Sequence, residues 1–245
     1  MNSQPFNDTV TVIPDLLPLV LLPGSLCDQR LFGAQVEYFS RFREVFVGDF
    51  VGCDSIQGMA VKMLAEAPPK FALAGLSMGG IVAFEMYRQA PQRIDRLAVL
   101  DTNPNAELAE RVAIRRRQSQ HVADGGDLAE FTGAELLPKY ADNREHRTRL
   151  EALVLSMAKA AGSAEFVNQW RALEQRPDSW CTLRQIACPT LILCGANDKL
   201  CSVELHRDMA AEISGGHLQV IADAGHLCTL DAPIAVNRAL HRWLG

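Results

Sequence analysis

One serine, two carboxylates and one histidine in this chain stand where an apolar run gives way to a turn, and together they could make a hydroxyl nucleophilic. The serine is Ser77, inside KFALAGLSMGGIVAFEM (Lys70 to Met86). The histidine is His226, in ADAGHLCTLDAP, and the carboxylates are Asp198, in LCGANDKL, and Asp101, at the end of LAVLD. Serine is a poor nucleophile at neutral pH because its proton is held tightly. A neutral histidine takes that proton as attack proceeds, and a carboxylate fixes the imidazole tautomer and stabilises its charged form.

The chain has six histidines. His121, His146, His206 and His241 fall in stretches of helical spacing, and His217 begins a strand, at the wrong end. Only His226 lies in a loop that follows a strand, which selects it as the base. Both Asp198 and Asp101 end strands. Asp198 is the better placed of the two, because a polar Gly-Ala-Asn turn can carry it beside the His226 loop. Asp49, which ends another apolar run, reads as a turn-shaping residue.

The glycines around Ser77 follow from geometry. A strand that turns sharply into a helix forces the turning residue into a strained backbone conformation. Side chains two residues before and two after would collide, so Gly75 and Gly79 fit, and Gly80 lets the helix pack closely. The same turn aims the amide of Met78, at a helix N-terminus, where an oxyanion would develop.

These residues need elements to position them. Short apolar runs read as strands at Leu17 to Gly24, Arg43 to Phe50, KFALAGLS, Ile94 to Thr102, Cys188 to Asp198 and HLQVIADAGH. Helical spacing separates them, as in DSIQGMAVKMLAEAP, with Asp54 or Ser55 as N-cap, in GGIVAFEMYRQAP, and in the terminal PIAVNRALHRWLG. Strands alternating with helices predict an α/β fold: a mostly parallel central sheet with helices on both faces. From about Pro104 to Trp180 strand patterns give way to helical ones, so a helical insertion is expected at 104–180, between core segments 1–103 and 181–245. Ligands of such sheets bind at the carboxyl ends of the strands, where Ser77, Asp198 and His226 are placed.

Composition narrows the partners. The chain has 245 residues, is 48% hydrophobic and 22% charged, and carries a net charge of -5. That is a globular profile without the cationic excess that nucleic acid requires. The dense basic run Arg115-Arg116-Arg117, with Arg111 one turn earlier, reads as a solvated helix face. LLPLVLLPG is too short to span a bilayer and is broken by proline, and the preceding residues lack the basic start of an export signal. A cytoplasmic location is therefore expected. Seven cysteines without a C-x-x-C pair fit reduced, mostly core thiols, and no zinc spacing or H-E-x-x-H occurs, so no metal or organic cofactor is expected. Cys27 and Cys228 are close in sequence to candidate site residues, so thiol reagents are expected to inhibit by obstruction. Nothing in the pattern specifies an oligomeric state.

At these residues the sequence resembles the α/β-hydrolase superfamily, over nearly the whole chain. GLSMGG resembles its nucleophile elbow, LILCGANDKL its acid loop and ADAGHL its histidine loop, and the order Ser77, Asp198, His226 is the family's order. LLPGSLCDQRLF resembles its oxyanion loop, and GDFVGCDS its Asp-x-x-Gly-x-x-Ser stretch. The resemblance implies that 104–180 is a cap and that the backbone amide of Ser25 joins that of Met78 in an oxyanion hole. Two departures stand out. Pro23 replaces the usual histidine of the oxyanion loop, which leaves the Ser25 amide available. Few residues precede Leu17, so one or both leading strands of the family are shortened. The implied activity is hydrolysis of a small-molecule carboxylic ester through an acyl-enzyme on Ser77, with no cofactor. The same triad supports carbon–carbon hydrolysis, lactone opening, perhydrolysis and elimination. An esterase for carrier-protein-bound acyl chains, docked through Arg111 and Arg115 to Arg117, and a slow-turnover ligand receptor stand beside these.

Overall fold

The apolar runs assemble into one parallel sheet in a computed structural model that describes residues 16–140 and 144–245. Among the described residues the strands are β1 (Leu19–Leu22), β2 (Val45–Val47), β3 (Phe71–Leu76), β4 (Ile94–Leu100), β5 (Thr190–Gly195) and β6 (Gly216–Ile221), in the order β2-β1-β3-β4-β5-β6. Every pairing is parallel. The run expected from Arg43 to Phe50 contracts to three residues, because β2 lies at the sheet edge and is only partly buried. The expectation of shortened leading strands concerns residues 1–15, which lie outside the described residues.

Alternation along the buried strands feeds two apolar cores. Val20, Leu22, Leu73 and Val99 face one, with α2 (Ile56–Glu66) and α3 (Met78–Gln89) packed on it. Leu19, Leu21, Ala74, Leu100 and Leu193 face the other, covered by α1 (Gly33–Phe39) and the terminal helix Pro233–Leu244. Fully burying a leucine or valine side chain contributes about 1.5–3 kcal/mol, so the strands are held from both faces. Ser55 rather than Asp54 caps α2, its hydroxyl accepting the Gly58 amide at 3.2 Å.

Between β4 and β5 the described elements are helical: α4 (Ala109–Ala123), α5 (Leu128–Phe131), a π-helical turn (Thr132–Leu136), α6 (Leu137–Tyr140), α7 (Arg144–Glu174) and α8 (Trp180–Leu183). Gly162, at φ 80 and ψ 170, breaks α7 into two arms. The remaining helices are α9 (Val203–Glu212), α10 (Cys228–Asp231) and α11 (Pro233–Leu244). The insertion docks on the sheet domain through defined contacts. Glu165 accepts the Gly52 amide at 3.0 Å, Gln169 accepts the Leu26 amide at 2.8 Å, and the Tyr140 carbonyl accepts the His226 amide at 3.1 Å.

Candidate active site

Ser77 sits between β3 and α3 at φ 55 and ψ -117, a conformation that a residue with a Cβ adopts only under constraint. The constraint is visible in the neighbouring glycines. A Cβ on Gly75 would lie 2.2 Å from the Gly79 carbonyl oxygen, and one on Gly79 would lie 2.0 Å from the Leu22 carbonyl oxygen of β1. Gly80 meets the Thr102 side chain in the same way. Thr102 also donates its hydroxyl to the Ser77 carbonyl at 2.6 Å, which ties the turn to the end of β4.

The strand ends bring three side chains into one line. His226 Nε2 is 2.9 Å from Ser77 Oγ, and His226 Nδ1 is 2.9 Å from Asp198 Oδ2. The Asp198 and His226 side chains are essentially sealed from solvent. The second Asp198 oxygen accepts the amides of Leu200 and Cys201 at 2.7 and 3.0 Å, so the carboxylate is satisfied on both sides. With Asp198 on Nδ1, the neutral imidazole carries its proton there and turns its Nε2 lone pair to Ser77. Burial works against a charged His226, but the Asp198 charge and hydrogen bond, with Asp101 and Asp231 behind them, outweigh it and hold its pKa above the ordinary 6.5. Asp198 itself is held below the usual carboxylate range: burial opposes its charge, and His226 and the two amides overcome that.

Asp101, the other candidate acid, bonds backbone instead. Its Oδ1 accepts the Gly195 amide at 2.8 Å and its Oδ2 the Cys228 amide at 3.4 Å. It has φ 45, and burial followed by the nearby Asp198 raises its pKa to about 7. It thereby ties the ends of β4 and β5 to the His226 loop. Gly195 permits the same approach, since a Cβ there would lie 2.3 Å from the Gly225 carbonyl oxygen. Asp49 takes the Val51 amide and Lys62 on the surface, as a turn residue does.

The amides of Ser25 and Met78 donate to no protein acceptor among the described residues, and both residues line the cavity that holds Ser77 and His226. Leu26, next to Ser25, has φ 58 and gives its amide to Gln169. Gln169 lies inside a helical pattern that the sequence offers only as packing. Tyr140 stacks on the His226 ring, with centroids 5.5 Å apart and planes 17° apart.

The other histidines divide as their spacing predicts. His206 is buried; its Nε2 accepts the Thr102 amide at 3.1 Å, its Nδ1 donates to the Ser202 carbonyl at 2.8 Å, and burial lowers its pKa. His217 lies in β6, away from the strand's carboxyl end, and His121 and His241 lie in α4 and α11. The atoms of Asp198, Cys201 and His226 come within 4.8 Å of one another, the spacing of a metal cluster. Asp198 and His226 are already committed to each other, and burial pushes the Cys201 thiol well above its ordinary pKa, so the donor set does not fit a metal.

The cavity over Ser77 has a volume of about 850 Å³. Among the apolar insertion residues, Leu108, Ile114, Leu136, Tyr140, Trp170 and Leu173 line it, while Leu137, Met157 and Phe166 pack into the cores without lining it. Arg111, Arg116 and Arg117 are exposed, as expected of a solvated helix face, and Arg115 alone of the basic run departs from it. Arg115 turns into the cavity, where Glu107 pairs with it, whereas Arg116 points outward to Glu174 and Arg117 is exposed. Helical period separates them: adjacent residues point about 100° apart around the axis.

Residues 19–239 match the family model of the alpha/beta hydrolase family. The chain belongs to that family. This α/β hydrolase is 27% identical to the (E)-2-((N-methylformamido)methylene)succinate hydrolase of Acinetobacter baylyi, over 93% of this chain and 90% of that protein. It superposes on a thermophilic esterase from Thermogutta terrifontis, solved with malate bound, with a TM-score of 0.83 and 28% identity over 93% of this chain and 89% of that one. The enol-lactonase from Burkholderia xenovorans gives a TM-score of 0.82 at 19% identity over 94% and 92%, a likeness of fold alone. The family, and relatives named as hydrolases and esterases, make this chain an enzyme. No helix among the described residues is long and apolar enough to cross a membrane.

Proposed function

We propose that this α/β hydrolase cleaves small-molecule carboxylic esters through an acyl-enzyme on Ser77. The observation that carries the proposal is the hydrogen-bonded line from Ser77 through His226 to Asp198. His226 takes the Ser77 proton as Oγ attacks the ester carbonyl. The carbonyl oxygen becomes an oxyanion held by the amides of Ser25 and Met78, each donor lowering the barrier by about 3 kcal/mol. His226 then passes the proton to the leaving alkoxide as the carbon–oxygen bond breaks. In the second half His226 takes a proton from water, water attacks the acyl-enzyme, and Ser77 recovers its proton as the acid leaves. Throughout, Asp198 stays ionised and stabilises the imidazolium.

Residues 104–180 act as the cap. They supply most of the cavity wall and reach the histidine loop through Tyr140. The esterase likeness at 28% identity supports ester cleavage, and a relative named for a succinate derivative supports a small polar substrate. All seven cysteines are free thiols, which supports work in a reducing compartment such as the cytoplasm. Turnover of short-chain p-nitrophenyl esters by wild type and by Ser77→Ala tests the proposal. Loss of turnover in the folded variant is expected, and undiminished turnover overturns it.

A further inference from the structure

One wall of the cavity over Ser77 carries more positive than negative charge, arranged around a single carboxylate. Glu107 is nearly sealed from solvent and takes two guanidinium groups at once. Arg176 forks onto both Glu107 oxygens at 3.2 Å and gives its Nε to the Asn105 carbonyl at 2.8 Å. Arg115 reaches Glu107 through Nε, and its guanidinium lies over the Trp170 ring at 5.2 Å. Trp170 is fixed in turn by its indole N–H, which donates to Gln118 at 2.9 Å.

This anchoring leaves the outer edge of Arg115 uncommitted. Its two Nη groups donate to nothing among the described residues, although the side chain is only 17% exposed. Arg111, one turn earlier on α4, lines the same cavity and has no acidic partner among the described residues. Arg176 feels both: burial first, then the fields of Arg115 and Arg111, lower its pKa despite Glu107. The other acids lining the cavity are engaged or exposed. Glu135 pairs with Lys139, Asp178 accepts the Trp180 amide, and Glu110 is exposed on α4. On this wall two carboxylates, nearly sealed Glu107 and exposed Glu110, stand against three guanidinium groups, of which Arg111 is exposed, in the cavity that also holds Ser77.

A half-buried guanidinium with free parallel N–H groups matches the two oxygens of a carboxylate, and a rigid stack on an indole holds that fork in place. We propose that Arg115, assisted by Arg111, binds a free carboxylate carried by the substrate. On this view the preferred substrates are half-esters of dicarboxylic acids. The inference rests on the ester-hydrolase proposal. Arg115 and Tyr140 line the same cavity as Ser77 and His226, and the Tyr140 ring stacks on His226, so the anion site shares the chamber of the reacting centre.

The test compares monoethyl succinate, glutarate and adipate with ethyl esters in which a methyl group replaces the free carboxylate. Wild type is expected to favour the charged member of its best pair by about 10- to 100-fold in kcat/KM, the range for a hydrogen bond to a charged group. Arg111→Gln should lower that ratio, Arg115→Gln should lower it further, and the double variant should bring it near one. A ratio near one in wild type, or a preference that survives the double variant, overturns the proposal. A stronger preference for a phosphate-bearing ester of the same length overturns the carboxylate in favour of phosphate. Calorimetric titration of folded Ser77→Ala protein with glutarate reads the subsite without turnover. Binding lost on adding Arg115→Gln supports it, and no binding opposes it. Labelling of Ser77 by a neutral fluorophosphonate separately tests the nucleophile, so failure of the subsite and failure of the hydrolase proposal give different results.

Discussion

Gln169 holds Leu26 by the backbone: its side-chain oxygen accepts the buried Leu26 amide at 2.8 Å, across the boundary between the helical insertion and the sheet domain. Leu26 has φ 58, a conformation that costs a residue other than glycine about 1–3 kcal/mol. Ser25, which lines the cavity that holds Ser77 and is the second oxyanion donor in the proposed mechanism, is the next residue back. Gln169→Leu leaves a buried N–H unpaired and should destabilise the fold by about 1–3 kcal/mol. It should also lower kcat by about 10-fold, a fraction of what losing an oxyanion donor outright costs. Urea unfolding and the separate response of kcat and KM check both effects; a fall in stability with unchanged kcat would leave Gln169 a purely structural residue.

The pH dependence follows from His226. In the proposed mechanism the neutral imidazole is the base, so kcat/KM should fall as pH drops through the His226 pKa, and that pKa is held above 6.5 chiefly by Asp198 against the effect of burial. The acid limb of the profile should therefore lie above pH 6.5. Asp198→Asn removes the raising charge and should move the limb downward while cutting kcat by about 10³- to 10⁴-fold. Asp101→Asn should move it in the same direction by less, since Asp101 acts on His226 through its field while bonding the amides of Gly195 and Cys228. An unmoved limb in Asp198→Asn would contradict the electrostatic account.

Gly79→Ala tests the elbow's packing. The new Cβ would meet the Leu22 carbonyl, which is backbone in the central sheet and cannot rotate away. Destabilisation of at least about 2 kcal/mol is expected, together with loss of activity, because relief requires α3 to shift away from β1. Thermal unfolding and ester turnover measure the two consequences.

Thiol reagents should spare the enzyme, contrary to the expectation from sequence proximity. Cys228 is fully buried, and burial with neighbouring Asp101 raises its thiol far above the ordinary value. Burial, then the adjacent Asp28, pushes Cys27 up to about 12. Cys181 is exposed and should react first. Modification of one thiol per chain with full ester turnover retained is the expected result; inhibition proportional to labelling would place a reactive thiol in the site.

Much of this arrangement is legible in the residues. The buried strands read directly as apolar runs, because a strand covered on both faces has no polar alternation to conceal it. Ser77, Asp198 and His226 follow from placement after β3, β5 and β6, since the carboxyl ends of parallel strands share one edge. The connections that cross elements are less legible. Arg115 and Arg176 meet on the Glu107 carboxylate although the three span 69 residues, and while the period of α4 turns Arg115 and Arg116 to different sides, it does not say which of them faces the cavity. Gln169 and Glu165 look like ordinary helix positions until the loops they hold, at Leu26 and Gly52, come within hydrogen-bonding distance. Asp101 reads as a rival acid because sequence cannot reveal that Gly195 and Cys228 already occupy its oxygens.

The central claim is that Ser77 forms a covalent acyl-enzyme. It is tested most directly by acid-quenching the enzyme during turnover of p-nitrophenyl acetate and measuring intact and peptide masses. The account predicts one added acetyl group per chain, located on the peptide containing Ser77 and absent in Ser77→Ala. Steady turnover with no acyl adduct on that peptide, or with the adduct on another residue, would contradict it.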